Sequence, residues 1–281
     1  MGKLLVLSDA HVRTMLLSLN KEKVQRTANR LSESLKDYSS GDAACAGAAA
    51  QQAPRTVRTR SDGVVNLFMP AMSSTAMASK LLGVLSATTA PSSGAPQRTV
   101  PRGAMLVLRP DGDPLAVFGA EELTAFRTAL GALLLFPRRK HVRNILVFGA
   151  GKQAIWHIRL ALMLRGSTRG KGLDPGSPAH GAKVEELVEA ADVIFCTTPS
   201  TAPLFGAELL TRSAKGLDPE VIKFATAGGR SVFVDSREGA LEESGEIIDA
   251  GIGGGQLAEL APLGEKYQRK NWASTIFLAS K

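Results

Sequence analysis

The stretch Asn144 to Ala154, NILVFGAGKQA, sets the tightest limit on what this chain can fold into. Ile145, Leu146, Val147 and Phe148 form an unbroken apolar run, the pattern of a parallel strand buried on both faces. Gly149-Ala150-Gly151-Lys152-Gln153-Ala154 follows without a spacer, spelling G-x-G-x-x-A, and the helical run IWHIRLALMLR comes next. The first glycine permits a tight turn and the second lets the backbone approach a pyrophosphate. Ala154 is small enough for the helix to lie close to the strand. Phosphates then sit at the helix N-terminus, where backbone N–H groups lack partners. These six residues are the expected cofactor-binding segment, with an ordinary strand-to-helix turn as the plainer alternative.

Alternation of strands and helices continues beyond this unit. Val184 to Ala190 reads as a helix and Val193 to Cys196 as a strand, with Thr197-Thr198-Pro199-Ser200 at that strand's C-terminal end, where open α/β sheets bind ligands. A further strand is expected over Ser231 to Val234, followed by Asp235 and a helix through Ile248. In between, STRGKGLDPGSPAHGAK is full of turn formers, so the second strand of the nucleotide-binding half is expected to be missing. Asp174 lies at about the right distance to bind a ribose but has no strand to carry it.

The part before Glu121 has a different rhythm. Leu4 to Leu7 reads as a short strand, Ser8 as the cap of a helix through Leu19, and Lys21 to Tyr38 as a second helix. Ser39 to Gln52 is rich in Ala, Gly and Ser and reads as a loop. Strand-like runs then flank Asp62-Gly63, a dipeptide that favours a type I′ hairpin turn, and Lys80 to Ser86 is a further strand. Ala104 to Arg109 and Pro114 to Phe118 form a second hairpin across Pro110-Asp111-Gly112-Asp113. From Glu121, EELTAFRTALGALLLF reads as a helix ending before Pro137.

Composition excludes several classes. No apolar run approaches membrane-spanning length, the N-terminal apolar segment is too short for a signal peptide, and Val6 stands where myristoylation needs Ser or Thr, so a cytoplasmic protein is expected. Cys45 and Cys196 are the only cysteines and lack metal-ligand spacing, and Cys196 reads as a buried strand residue. The four histidines share no spacing with carboxylates; surface positions account for them and no metal is expected. A net charge of +8 from scattered basic residues, with 5% aromatics, fits a solvated surface or anionic ligands better than nucleic acid.

Taken together, several segments resemble the ornithine cyclodeaminase and mu-crystallin family. They are Pro54-Arg55, FMPAM with SKLLG, DGDPLAVF with LTAFRTAL, FGAGKQA with ADVIFCTTPS, VFVDSREGALEESGEI and the terminal STIFLASK. The resemblance implies an α/β protein. Residues 1–120, completed by 257–281, would form a β-rich α+β substrate and dimerisation domain, and 121–256 a Rossmann-type domain binding NAD or NADP. It also implies a homodimer acting on a small amino or imino acid. Known members include ornithine cyclodeaminases, ketimine reductases and amino-acid dehydrogenases.

Carried over by position, Arg55, Lys80 and Arg127 match the cations that grip the substrate carboxylate. Read without the family, Arg55 and Lys80 are ordinary solvated charges. Arg127, inside an apolar helix, reads either as paired or functional or as covering apolar surface with its stem. Two departures bear on chemistry. The Gly-rich segment that carries the cyclodeaminase catalytic aspartate is absent after Leu210, and Asp218 aligns beyond it, so no catalytic residue is assigned. Reduction of a cyclic ketimine or imino acid needs no such aspartate; ornithine cyclodeamination and a catalytically degenerate binding protein are the alternatives.

Overall fold

A computed structural model describes residues 3–39, 51–52, 55–85, 101–136, 142–165, 169–172, 180–198, 204–206, 209, 223, 226, 231–234, 237–243, 245–259 and 277–278. The expected Asp174, Pro199, Ser200, Asp218 and Asp235, and Cys45 and His141, lie outside them. The fold is α/β, and the chain divides into two compact units. The first is Met1–Leu19 with Ser40–Ala125, and the second is Asn20–Ser39 with Phe126–Lys281.

The first unit is built on one seven-stranded sheet. Its strands are β1 (Leu5–Leu7), β2 (Gln51–Gln52), β3 (Thr56–Thr59), β4 (Val64–Met72), β5 (Met77–Leu85), β6 (Arg102–Leu108) and β7 (Pro114–Gly119). They run in the order β1-β7-β6-β5-β4-β2, with β3 also on β4. Among the described strands of this sheet only β1 pairs in parallel. β2 corrects the expectation of a loop through Gln52. Its two glutamines show no apolar period, and backbone pairing with Ala71 and Met72 makes the strand. Helix α1 (Asp9–Leu17) follows β1, and Ser8 Oγ accepts the His11 N–H at 3.3 Å as its cap.

The two hairpin turns expected from the sequence share one geometry, and it is not type I′. Gly63 N donates to Arg60 O at 3.0 Å and Gly112 N to Arg109 O at 3.0 Å, while Arg60 N and Arg109 N close the loops onto Val64 O and Asp113 O at 2.9 Å. Among the described residues only glycines have positive φ, Gly63 at 79° and Gly112 at 90°. A type I′ turn needs two such residues in succession. Ser61-Asp62 and Pro110-Asp111 instead make an ordinary right-handed turn, and one left-handed glycine restores the strand direction. Asp62 Oδ1 accepts the Val64 N–H at 3.1 Å. That bond, with the Arg60 guanidinium, holds its carboxyl below its ordinary pKa.

The second unit holds two three-stranded parallel sheets. In the first, β8 (Asn144–Phe148) lies between β9 (Arg169–Gly172) and β10 (Val193–Cys196). In the second, β11 (Val232–Val234) lies between β12 (Leu257–Glu259) and β13 (Phe277–Leu278). Thus the second strand is present: Arg169–Gly172 pairs with Asn144–Val147. Its sequence, RGKG, has no hydrophobic signal because the pairing uses backbone groups alone. Phe195 and Cys196 end β10, and Cys196 is half-buried rather than buried.

Helices α2 (Lys21–Ser39), α3 (Ala120–Ala132), α4 (Lys152–Arg165) and α5 (His180–Glu189) complete the framework. Asn20 caps α2 through Oδ1 to Lys23 N at 2.9 Å; Val24 and Ala28 are its buried residues, and it packs on α4. α3 stops four residues short of Phe136. Gly131 weakens its end and Phe136 precedes a proline, so the chain continues in tighter turns such as Phe136 N to Leu133 O at 3.1 Å. The expected helix after β11 is two, Arg237–Glu243 and Gly245–Asp249. Leu146 and Ile194 are paired in register and buried in one cluster with Val188, Val232, Val234 and Ile247. Asp192 Oδ2 accepts from Arg143 N at 2.7 Å and Asn144 N at 2.9 Å, fixing the entry to β8.

His157 is a core residue of α4, contrary to a surface histidine, with only 6% exposed. Its Nδ1 donates to Gln153 O at 2.7 Å and its ring lies 4.8 Å from that of Phe195. Burial lowers its pKa from the ordinary 6.5, outweighing the hydrogen bond to Gln153. The folded protein therefore holds a neutral ring that the unfolded chain would protonate below its ordinary value. The stability due to the neutral ring is full above that value and is lost as pH falls toward the lowered one. Urea unfolding at pH 7.5 and 5 should show a smaller pH-dependent loss in His157→Phe than in the wild type.

Candidate dinucleotide-binding site

The apolar β8 ends at Phe148, and the chain must turn at once to enter α4. Gly149 makes that turn with φ of 112°, a conformation costly to any residue with a β-carbon. Crowding adds to the requirement, because a β-carbon on Gly149 would stand 2.6 Å from Thr197 Oγ1 and 3.0 Å from Thr197 O. Gly151 differs, since a β-carbon there would meet nothing within 4 Å. The first glycine is thus forced by the protein's own packing, while the second leaves backbone exposed to open space.

α4 begins at Lys152, and its first intrahelical donor on this side is Ile155 N, to Gly151 O at 3.1 Å. At a helix start the first N–H groups precede the point where a carbonyl one turn back becomes available. No acidic residue lies in the first turn to neutralise them, and Lys152 adds positive charge. Ala154 is 2% exposed, as expected of the residue that lets helix and strand approach. Gln153 Oε1 is buried without a hydrogen-bond partner among the described residues. The arrangement suits an anion approached by backbone.

Ring contacts pack both ends of α4. The Trp156 and Phe126 rings meet edge to face with centroids 5.2 Å apart, and the Arg165 guanidinium lies 5.4 Å from the Phe136 ring. Phe148 stacks on Phe205 at 5.3 Å. Neither Phe205 nor buried His157 carries a sequence signal, because each is defined by a neighbour distant along the chain.

Of the expected cofactor residues, Gly149, Ala150, Gly151, Lys152, Gln153 and Ala154 form the turn and first helical turn, and Thr197 meets it from the end of β10. Thr198 is the next residue, half-buried. The cations fall elsewhere. Arg55 and Lys80 are half-buried in the first unit; Arg55 directly precedes β3, and Lys80 is in β5 opposite Met69 of β4. β3 and β5 flank β4, so the two cations are borne by strands roughly 9 to 10 Å apart. Three residues separate Gln52 from Thr56 but two separate their partners Ala71 and Phe68, so Arg55 enters at an irregular edge. Arg127 is exposed on α3, in the second unit. Among the described residues no group of three or more His, Cys, Asp or Glu could hold a metal, and no helix is long and apolar enough to cross a membrane.

No family model matches the chain. Ketimine reductase mu-crystallin of Mus musculus is 31% identical over 170 residues, 50% of this chain and 52% of that protein. Δ1-pyrroline-2-carboxylate reductase of Bacillus cereus is 28% identical over 162 residues, 48% and 50% respectively. The matched region thus spans about half the length of these relatives. Among solved structures, Thermococcus litoralis Δ1-pyrroline-2-carboxylate reductase, in complex with NADH and L-proline, has a TM-score of 0.74 at 21% identity, covering 99% of this chain and 92% of that one. An archaeal alanine dehydrogenase dimer with bound NAD gives 0.73 at 20%, covering 99% and 90%. A structure described as a "probable ornithine cyclodeaminase", from Bordetella pertussis, gives 0.74 at 21%, covering 99% and 92%. The chain is thus similar in sequence, over about half its length, to proteins named for ketimine and Δ1-pyrroline-2-carboxylate reduction, and it shares the fold of these solved structures over nearly all of it.

Proposed function

We propose that this chain is an NAD(P)-dependent oxidoreductase that reduces a cyclic ketimine or imino acid. The observation that carries the reading is the open backbone at Gly151, at the C-terminal edge of a parallel sheet and the N-terminus of α4. Relatives named for ketimine and pyrroline-carboxylate reduction support it, as do structural neighbours solved with NADH or NAD. Residues Gly149 to Ala154, with Thr197, Thr198, Pro199 and Ser200, would hold the dinucleotide, which supplies the hydride when bound.

The chain's own part is recognition and orientation. Arg55 and Arg127 can each present two parallel N–H donors to a carboxylate, and Lys80 adds a compact positive charge. Fixing the carboxylate also fixes the adjacent imine carbon, removing much of the orientational entropy from the barrier. Ornithine cyclodeamination would use the same clamp but needs a base beside the substrate amine, for which no residue is assigned.

In this reading the enzyme is a cytosolic homodimer. Val6, Phe68, Met72 and Leu81 are 66%, 41%, 49% and 39% exposed. Phe68 pairs with Leu81, and the register from β1 to β4 puts all four on one sheet face. Such an apolar face suits a second copy of the chain. Phe68→Asp should then give monomers in sedimentation velocity, where an unchanged sedimentation coefficient would remove this face from the interface.

Fluorescence titration with NADH and NADPH is expected to saturate, and a cyclic imino acid should then consume reduced cofactor stoichiometrically. Proline and ammonia from ornithine, without net cofactor consumption, would instead establish cyclodeamination. For the clamp, Arg127→Ala should lower kcat/KM by about 10- to 100-fold, the range for a lost charge-assisted pair. Unchanged steady-state kinetics would exclude Arg127 from the substrate site.

A further inference from the structure

We propose that Thr197 is a positioning residue, whose hydroxyl locks the glycine turn in the shape that receives the dinucleotide. The inference rests on the nucleotide-binding reading above but concerns a role distinct from contact with the ligand. Paired residues of β8 and β10 end at Phe148 and Cys196. Beyond them, Thr197 N donates to Phe148 O at 2.9 Å, and Thr197 Oγ1 donates to the same oxygen at 2.7 Å. A carbonyl has two lone pairs and can accept both.

That carbonyl belongs to the planar peptide joining Phe148 to Gly149, so fixing its direction fixes the plane from which the turn begins. Flipping the peptide would break two bonds at once and leave a partly buried hydroxyl seeking another partner. The same Oγ1 is the atom that a β-carbon on Gly149 would strike. Thr197 and Gly149 therefore act as one unit: the glycine makes room for the hydroxyl, and the hydroxyl holds the glycine's peptide. The result is a preset turn whose far side, at Gly151, stays open.

The test compares Thr197→Val, which keeps the branched shape but loses the hydroxyl, with Thr197→Ser, which keeps the hydroxyl. Two readouts apply to the full-length chain: NADH and NADPH affinity by fluorescence titration, and amide hydrogen exchange of Gly149 to Gln153 without nucleotide. Thr197→Val should weaken nucleotide binding about fivefold and speed exchange of the turn amides about fivefold, as expected for one lost hydrogen bond. Thr197→Ser should stay within about twofold of the wild type on both, a rescue that general destabilisation would not give. Wild-type exchange in Thr197→Val, or equal loss in Thr197→Ser, overturns the proposal. Should the wild type bind neither nucleotide while exchange behaves as expected, the nucleotide reading fails and the turn lock stands.

Discussion

The second unit depends on the parallel pairing of β8 with β10. Its four residue pairs, Ile145 with Val193 through Phe148 with Cys196, put apolar side chains into the core on both faces. They also bring the two strand ends into line. Because strands and helices alternate, the C-terminal end of each strand leads into a turn, and both turns open at one edge. Asp192 secures the opposite end by accepting the N–H groups of Arg143 and Asn144. A small displacement there would shift Thr197 relative to Gly149, where the available space is set by a single oxygen.

Helix α4 carries that registry into the body of the unit. Its buried side chains, Ala154, Trp156, His157, Leu160, Ala161 and Leu164, leave little freedom to rotate. The neutral histidine among them is a compromise. It satisfies its Nδ1–H on the helix's own backbone and packs at a tilt against Phe195, but it makes the unit sensitive to acid where a phenylalanine would not. The first unit solves a different problem. Its long antiparallel strands β4 and β5 are joined by a tight turn that Ser73 N closes onto Ala76 O at 2.8 Å, and the register that follows puts Lys80 between Met69 and Met105.

Legibility followed the source of each stabilising interaction. The apolar runs of β8 and β10 and the Ser8 cap depend on neighbours in sequence and were readable. Gly63 and Gly112 marked turns, but not their type, because Asp-Gly serves both a type I′ turn and a right-handed turn with a glycine bulge. β2 and β9 were illegible, since Gln51-Gln52 and RGKG pair through backbone groups and carry no hydrophobic period. His157 was misread because a histidine within IWHIRLALMLR shows its burial only once Phe195 lies against it.

By itself the sequence determined the α/β class, the strand-turn-helix unit at 144–154 and the residue types available to meet anions, because these follow from periodicity and from the steric freedom of glycine. Tertiary structure alone decided why the first of those glycines is indispensable. Thr197 is 48 positions further along, and only strand pairing brings its hydroxyl onto the Phe148 carbonyl and into the space a side chain at 149 would fill. Hydrogen bonds and excluded volume act over a few ångströms in space, a distance that spacing along the chain does not encode.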